Sequence, residues 1–263
     1  MKKIFYVLLG ICLLSCSSSN DDIVEETQDV YTDKVYRSHL SGIFVTDPVT
    51  DPSYYQFTYT NGSLTEVSNK FPPSPEFPNS VYPTTTLFYE NNQIKVLTTS
   101  IGDSRYTLYT MDGKKPVKSE QYTMAINQQY YLNNTAYYTY EKDKTIIYRE
   151  YNATDNTMVS TYSFDSKHNL IKSEEVSKSK YSGEFVNIIV YSDFDNSKNP
   201  YKNLWLLGGV AYIKSLSSNN FRKMEHTYGY INSGVFEPDF TMSYTYNNYK
   251  YDSNGQLLLY YPL

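Results

Sequence analysis

The stretch Tyr249-Lys-Tyr-Asp-Ser-Asn-Gly-Gln-Leu-Leu-Leu-Tyr260 carries the clearest turn signal in the chain. Asn254-Gly255 predicts a two-residue type I′ β-turn, because that turn needs positive φ at both central residues, and Asn and Gly accept it most readily. The flanks would then pair Tyr251 with Leu258 and Tyr249 with Tyr260. Side chains alternate along a strand, so these four residues would share one buried face.

The same spacing recurs at Phe164-Asp-Ser-Lys-His-Asn-Leu170, where Lys167-His168 takes the place of Asn-Gly. Looser copies of the strand–turn–strand pattern are Tyr55–Leu64, Leu87–Ile94, Tyr106–Gly113 and Tyr137–Ile146. Short strands separated by polar bends predict hairpins that follow one another in sequence. The chain is therefore predicted to be all-β: an antiparallel meander of tandem β-hairpins that forms a long twisted sheet, open or curled on itself.

The composition agrees with a sheet protein. The chain of 263 residues is 40% hydrophobic, enough to bury a core, and it contains 31 tyrosines. Tyr has a high β-propensity and suits strands with one exposed face, so most of these residues are interpreted as sheet-forming. Residues 34–263 are predicted to form one repeat-built antiparallel β domain.

Residues 1–15 are predicted to be a lipoprotein signal peptide. Lys2-Lys3 precedes the apolar run Ile4–Leu14, which is too short for a transmembrane helix and is typical of a secretory signal. Leu13-Leu-Ser-Cys16 resembles the bacterial lipobox, which implies that Cys16 becomes the lipidated first residue of the mature chain. An ordinary signal peptide that happens to contain a cysteine is the alternative. Several acyl chains would anchor the protein stably, each buried methylene contributing about 0.8 kcal/mol.

Residues 16–33 are polar and acidic and are predicted to be a disordered, self-repelling tether behind the lipidated cysteine. The run Ser17-Ser-Ser-Asn-Asp-Asp22 also resembles the surface-export signal of lipoproteins in Bacteroidota. That resemblance implies an outer-membrane location with the folded part facing the cell surface. A simple spacer that faces the periplasm stays open as the alternative.

Cysteine usage and charge exclude two further features. Cys12 lies in the removed segment and Cys16 would carry lipid, so no disulfide is expected in the mature chain. The formal charge is -5 at pH 7, and cleavage removes Lys2-Lys3 without removing an acid. Nucleic acid is therefore not a predicted partner, since backbone binding needs a basic surface.

The run Leu204–Leu216 shows no strand alternation and contains the only tryptophan, Trp205. It is predicted to be a short helix or an apolar loop that plugs one end of the sheet. Trp205, Tyr201 and Tyr212 are the candidate aromatic contacts for a glycan or protein partner, since such rings offer much contact area at low entropic cost.

The preceding segment, Asp193–Asn203, has the acidic spacing that begins a calcium-binding EF-hand loop. Lys198 stands where the loop needs glycine, and Leu204 stands where it needs a bidentate glutamate. The segment is therefore interpreted as an Asx-rich turn that ends at Asn199-Pro200.

Three segments carry a family resemblance: Tyr251–Leu257, Phe164–Leu170, and Asp193–Tyr201 followed by Ser218–Asn220. Together with Leu13–Cys16 they resemble surface or outer-membrane lipoproteins of Bacteroidota whose bodies are strings of Tyr-Asp-x-x-Gly-like hairpins, distantly similar to YD (Rhs-type) repeats. The resemblance implies a lipid-anchored, hairpin-built body and no particular activity. The chain has fewer glycines and far fewer units than true YD repeats, so a toxin-enclosing shell is not implied.

The sequence contains no pattern that points to catalysis, a metal or a cofactor. His39, His168 and His226 lie far apart, and there is no nucleophile elbow, phosphate loop or dinucleotide fingerprint. The predicted function is therefore a non-catalytic, surface-anchored lipoprotein that binds a glycan or a protein. A purely structural envelope lipoprotein is the alternative. A glycan-active hydrolase, with a carboxylate pair drawn from residues such as Glu120 and Glu141 or Glu150, ranks third.

Overall fold

The structure is a computed structural model, and it describes residues 32–41, 53–72, 82–100, 103–179 and 183–261. Within these ranges the chain forms fourteen strands, two α-helices and one 3₁₀ helix. The strands are β1 (Lys34–Tyr36), β2 (Tyr54–Thr60), β3 (Ser63–Lys70), β4 (Thr84–Glu90), β5 (Gln93–Ser100), β6 (Asp103–Asp112), β7 (Lys115–Met124), β8 (Tyr130–Tyr140), β9 (Lys144–Tyr151), β10 (Asn156–Phe164), β11 (Leu170–Ser179), β12 (Gly183–Phe194), β13 (Phe221–Asn232) and β14 (Val235–Thr245). The helices are α1 (Ser38–Ser41), the 3₁₀ helix (Lys202–Leu207) and α2 (Gly209–Leu216).

The strands form one antiparallel sheet in which each strand pairs with its neighbours in sequence, from β1 to β14. This order confirms the predicted all-β meander, and the sheet does not close on itself by pairing of β1 with β14. Because antiparallel strands reverse direction, alternate connections lie at the same end of a meander. The connections β2–β3, β4–β5, β6–β7 and β12–β13 therefore share one end.

Two hairpins use the two-residue turn that Asn-Gly favours. Thr60 pairs with Ser63 across Asn61 and Gly62, whose φ angles are 50° and 76°. Asn232 pairs with Val235 across a Ser233-Gly234 turn in which both residues also have positive φ. Positive φ at both central residues is the condition for a type I′ turn.

The prediction for Asn254-Gly255 is wrong in turn type and register. Tyr251 pairs with Leu257, and the N–H of Gly255 donates to the carbonyl of Asp252. Only Gly255 has positive φ, at 76°, so the loop is one residue longer than a type I′ turn. A shift of one residue moves side chains to the opposite face. Leu257 is accordingly buried, whereas Tyr260, which was predicted to be buried, is exposed.

The turn at Asp165–Asn169 has the same construction as the turn at Asp252–Gln256. In both, the first Asp accepts backbone N–H bonds on Oδ1 from the residues two and four positions later, at 2.8 Å each. The backbone N–H of that Asp donates to the carbonyl of the last turn residue, at 3.0 Å and 2.9 Å respectively. In both turns an aromatic residue precedes the Asp and a leucine follows the last turn residue. The two copies of the sequence pattern therefore have the same structure.

The connection between β12 and β13 closes with the same hydrogen bonds although it is far longer. The N–H of Asp195 donates to the carbonyl of Asn220, and Oδ1 of Asp195 accepts the N–H of Asn220 at 3.0 Å and that of Ser197 at 3.2 Å. We call residues 195–220 the insert, and the sheet end from which it leaves the insert end. The 3₁₀ helix and α2 are thus held in a widened hairpin turn.

The predicted Asx-rich turn before the helices is confirmed. Asn199 accepts the N–H of Tyr201 at 2.8 Å, and its amide donates to the carbonyls of Lys214 and Ser217 at 2.6 Å and 2.7 Å. Asn199 therefore ties the start of the insert to the last turn of α2. Of the two alternatives for Leu204–Leu216, the helical one is found.

The insert packs against both halves of the sheet. Leu204, Leu206 and Ala211 join a buried cluster with Phe57 and Leu87 of the first half. The opposite side of α2, with Val210, Tyr212, Ile213 and Leu216, packs against a second cluster that includes Ile147, Ile189 and Met224 of the second half. The sheet therefore curls around the insert, which fills its inner face at the insert end.

Candidate functional site

The three aromatic candidates lie in different environments although they lie within twelve residues of one another. Tyr201 is only 1% exposed, so its ring has no surface to offer a ligand. Trp205 and Tyr212 are half-buried. Trp205 packs edge-to-face on Tyr109 at 5.4 Å, and Tyr212 packs in the same way on Tyr162 at 5.7 Å. Cys16, the predicted lipidation site, lies outside the described residues.

Tyr201 belongs to a buried polar cluster that joins distant parts of the chain. His39 Nε2 donates to the carbonyl of Tyr261 at 2.7 Å, since a carbonyl only accepts. His39 Nδ1 is then the acceptor for the Tyr201 hydroxyl at 2.8 Å. Burial, followed by the nearby charge of Lys214, lowers the pKa of His39 to about 3. The ring is therefore neutral at physiological pH.

Lys214 of α2 is the fully buried cation of this cluster. Its Nζ donates to the carbonyl of His39 at 3.0 Å and lies 5.0 Å from the ring centroids of both Tyr201 and Tyr246. Burial lowers the pKa of Lys214 to about 7. Ring faces replace part of the lost hydration of an ammonium group. We interpret Lys214 as a structural clamp, because it is 2% exposed and joins α2 to His39 of α1 and to the rings of Tyr201 and Tyr246.

Trp205 borders a cavity of about 380 Å³ at the insert end of the sheet. Three hairpin turns form one wall, and their side chains include the amides of Asn91, Asn92 and Gln93. Asn203 of the 3₁₀ helix adds a fourth amide. Amides donate and accept at once, as a hydroxyl-rich ligand requires. The Tyr89 ring, whose hydroxyl donates to the Leu64 carbonyl at 2.8 Å, lines the same cavity.

A second cavity of about 300 Å³ adjoins the first and shares Trp205 and Lys114 with it. Its aromatic lining also includes Tyr140 and Tyr212, and its cationic lining includes Lys115 and Lys202. The two cavities together form one groove, which we call the Trp205 groove. Trp205 and Lys114 lie where the two cavities adjoin. The first cavity, with its amides, is the amide end of the groove, and the second, with Lys115 and Lys202, is the ammonium end.

A third cavity, of about 440 Å³, lies on the inner face of the sheet behind the 3₁₀ helix. Its polar lining includes Arg105, Arg149, Gln121 and Asn134, and the amide of Asn134 donates to Gln121 at 2.6 Å. No sequence pattern predicts this cavity, because its lining comes from five consecutive strands, β5 to β9, and from the distant segment 206–209. Leu206 lines both this cavity and the first one.

The amide end of the Trp205 groove is also not predicted from the sequence. Asn91-Asn92 and Gly113-Lys114 read as ordinary turn residues. The strand order could have predicted that these turns lie together, because alternate turns of a meander lie at the same end of the sheet. The β12–β13 connection, which carries Trp205, belongs to that same set.

The described ranges lack two further features. No helix there combines the length and the apolar character that crossing a membrane requires. No three side chains of His, Cys, Asp or Glu in those ranges come together as metal ligands would.

Comparisons with known proteins support the fold alone. No protein-family model matches the sequence, and no curated protein matches it. Among solved structures, a porin-like protein from Bacteroides vulgatus aligns with a TM-score of 0.51 and 12% identity, covering 78% of this chain and 84% of that one. A porin-like protein from Bacteroides uniformis aligns at 12% identity over 73% of this chain and 87% of that one, with a TM-score of 0.33, too loose to carry an argument. The first alignment shows a shared all-β fold.

Proposed function

We propose that the protein is a non-catalytic outer-membrane lipoprotein, anchored through Cys16 and facing the cell exterior, which binds glycan in the Trp205 groove. The observation that carries the proposal is the position of Trp205. Its ring borders two adjoining cavities, and four side-chain amides line one of them. Aromatic rings that pack on the apolar faces of sugars, with amides that bond their hydroxyls, make a suitable combination for a glycan.

The character of the groove lining separates this proposal from its two rivals. A purely structural role predicts that the aromatic residues of the insert are sealed in the core, as Tyr201 is, whereas Trp205 and Tyr212 reach a cavity. A glycan hydrolase of the usual kind works through two carboxylates that flank the scissile bond. The groove instead presents amides, rings and ammonium groups, which bind and orient without transferring protons.

Binding is tested by titrating the full-length protein, purified in detergent, against a panel of oligosaccharides. Trp205→Ala should weaken the best ligand by about 2 kcal/mol, roughly thirty-fold, as loss of a central aromatic contact does. Tyr230→Ala, which removes an aromatic ring that is 47% exposed on β13, is the matched control and should bind normally. Thermal melts of all three proteins check folding. Equal binding by the Trp205→Ala protein would reject the site.

Anchoring and orientation are tested in cells. The Leu13–Cys16 motif supports lipidation, and the fold shared with a porin-like protein is compatible with an envelope location. Cys16→Ser should abolish incorporation of labelled palmitate and release the protein from the membrane fraction. Protease added to intact cells should digest the protein. Digestion only after the outer membrane is permeabilised would contradict surface display.

A further inference from the structure

The ammonium end of the Trp205 groove differs from the rest of the protein in charge. Lys114, Lys115 and Lys202 line one cavity, yet the whole chain has a formal charge of -5. Like charges that gather at one place repel one another, and that repulsion disfavours the cluster unless an opposite charge is present. A cationic pocket on an acidic protein therefore points to an anionic group that is brought by a ligand.

No acid in the part of the chain that the structure describes forms a close ion pair with this cluster. Among the described residues the close ion pairs are Lys118 with Glu120, Lys172 with Glu174, Lys178 with Glu184, and Arg222 with Asp193. The pocket lysines contact neutral groups instead. Lys115 Nζ lies 4.8 Å from the ring centroid of Tyr140, and Lys202 Nζ donates to the carbonyl of Leu216 at 3.3 Å. Their charges are therefore left for a bound anion.

The cations and the glycan-binding rings belong to one surface. Lys114 and Trp205 line both cavities, so a ligand that packs on Trp205 lies beside an ammonium group in either direction. The rings of Tyr140 and Tyr212 lie with these lysines. An aromatic surface beside ammonium groups suits a sugar ring that carries an acidic substituent.

We infer that the Trp205 groove selects acidic oligosaccharides, with a carboxylate or sulfate of the sugar held by Lys114, Lys115 and Lys202. This inference rests on the proposed glycan-binding function and specifies its ligand. The amide end binds hydroxyls of the neighbouring residues along the same chain. Because the ammonium groups are at the surface, the interaction weakens as salt screens the charges.

The test uses the full-length protein in detergent with two probe pairs: an oligogalacturonate and its methyl ester, and a chondroitin sulfate hexasaccharide and its desulfated form. At least one acidic probe should bind ten-fold or more tightly than its neutralised partner, and its affinity should fall between 50 mM and 300 mM salt. Lys202→Gln and Lys114→Gln should each weaken the acidic probe about three- to ten-fold and weaken the neutral one by a clearly smaller factor, so that the preference for the acidic probe falls. Lys223→Gln, a change at an exposed lysine of β13, is the charge-matched control.

The outcomes separate this inference from the proposed function. Equal affinity for acidic and neutral probes, abolished together by Trp205→Ala, would overturn acid selectivity and keep the glycan site. Displacement of the acidic probe by a poly-glutamate peptide at equal concentration would overturn the inference in favour of an acidic peptide ligand. Failure of every probe to bind would count against both the selectivity and the site.

Discussion

Two lysines of the insert, twelve positions apart, show how burial assigns different roles to the same side chain. Lys214 is sealed between Tyr201 and Tyr246 and bonds the carbonyl of His39. Lys202 is exposed and lines a cavity with Trp205. Both ammonium groups contact one backbone carbonyl, so hydrogen bonding does not distinguish them.

The difference lies in what surrounds each charge. Lys214 is enclosed by α1, by the insert and by the segment that follows β14. Its charge therefore affects the stability of the fold. Around Lys202 one side is open, and burial lowers its pKa only to about 8, so the side chain keeps most of its charge at pH 7 and affects folding less than Lys214 does. We therefore propose that the interior side of the insert governs stability and that the Trp205 groove governs binding. Substitutions on the two sides of the insert test that division.

The largest effect is expected from Asp195→Ala, because Asp195 fastens the insert that carries both lysines. Its carboxylate accepts bonds from Ser197, from Asn220 and from the hydroxyl of Tyr251. Loss of several bonds to a charged acceptor should lower the free energy of unfolding by about 4 kcal/mol. Urea denaturation measures the change.

Asp252→Ala is the matched control for Asp195→Ala. It removes the same type of turn carboxylate, which accepts only backbone N–H bonds from Asn254 and Gln256. Its cost should be about 1 kcal/mol. Equal losses in the two variants would contradict the idea that Asp195 supports the insert as well as its own turn.

The second effect is a rise in stability with pH that depends on Lys214. Its pKa is about 7 in the folded protein and near 10.5 when unfolded, so the unfolded chain binds more protons between these values. The free energy of unfolding should therefore rise by about 3 kcal/mol from pH 7 to pH 9.5. Lys214→Met should remove most of this rise. Burial also lowers the pKa of Lys202, to about 8, so Lys202→Met should remove a smaller part of the rise, confined to pH above 8. Parallel pH profiles for the wild type and the Lys214→Met protein would show that the buried amine is not the cause.

The third effect is a loss of stability at acidic pH that depends on His39. Burial lowers its pKa to about 3 in the folded state, against an ordinary 6.5, so the unfolded chain takes up the proton first as pH falls. As the pH is lowered from above 6.5 to 5, the free energy of unfolding should fall by about 2 kcal/mol. His39→Gln should flatten the profile in this window. His226, whose pKa burial also lowers, provides the comparison variant His226→Gln, for which a smaller change is expected.

The smallest effect on stability is expected at the groove. Lys202→Met should change the free energy of unfolding by less than about 0.5 kcal/mol, as surface substitutions usually do. A loss of 2 kcal/mol or more would mean that the groove is part of the folding core and would weaken the division between the two sides of the insert. Thermal and urea denaturation at pH 7.5 measure it.

Much of the fold follows from local patterns. Alternation on both sides of Asn61-Gly62 and the repeated Asp165 and Asp252 turns predict hairpins, because turn chemistry and strand alternation act over a few residues. The register at Tyr251 was predicted wrongly for a related reason. A type I′ turn and the observed longer loop both accept Asn-Gly, and the packing of Leu257 and Leu259 against the rest of the core selects the second.

The candidate site was predictable in part. The missing alternation around Trp205 indicated a segment that is not a strand, and that was correct. Nothing in the sequence separates Tyr201, which is buried, from Tyr212, which reaches a cavity, because both are tyrosines close to the same apolar run. Likewise Lys214 reads as an ordinary charged position of a helix.

The sequence by itself determined that this chain would make short strands joined by tight polar turns, in consecutive order. These features arise from φ preferences and side-chain alternation within about ten residues. Only the tertiary structure decided that the insert folds back inside the sheet, that Lys214 is enclosed with His39 and Tyr246, and that three distant turns meet Trp205 in one groove. These features depend on burial between residues far apart in sequence. For a charged side chain, the extent of burial determines its role more strongly than the residue type does.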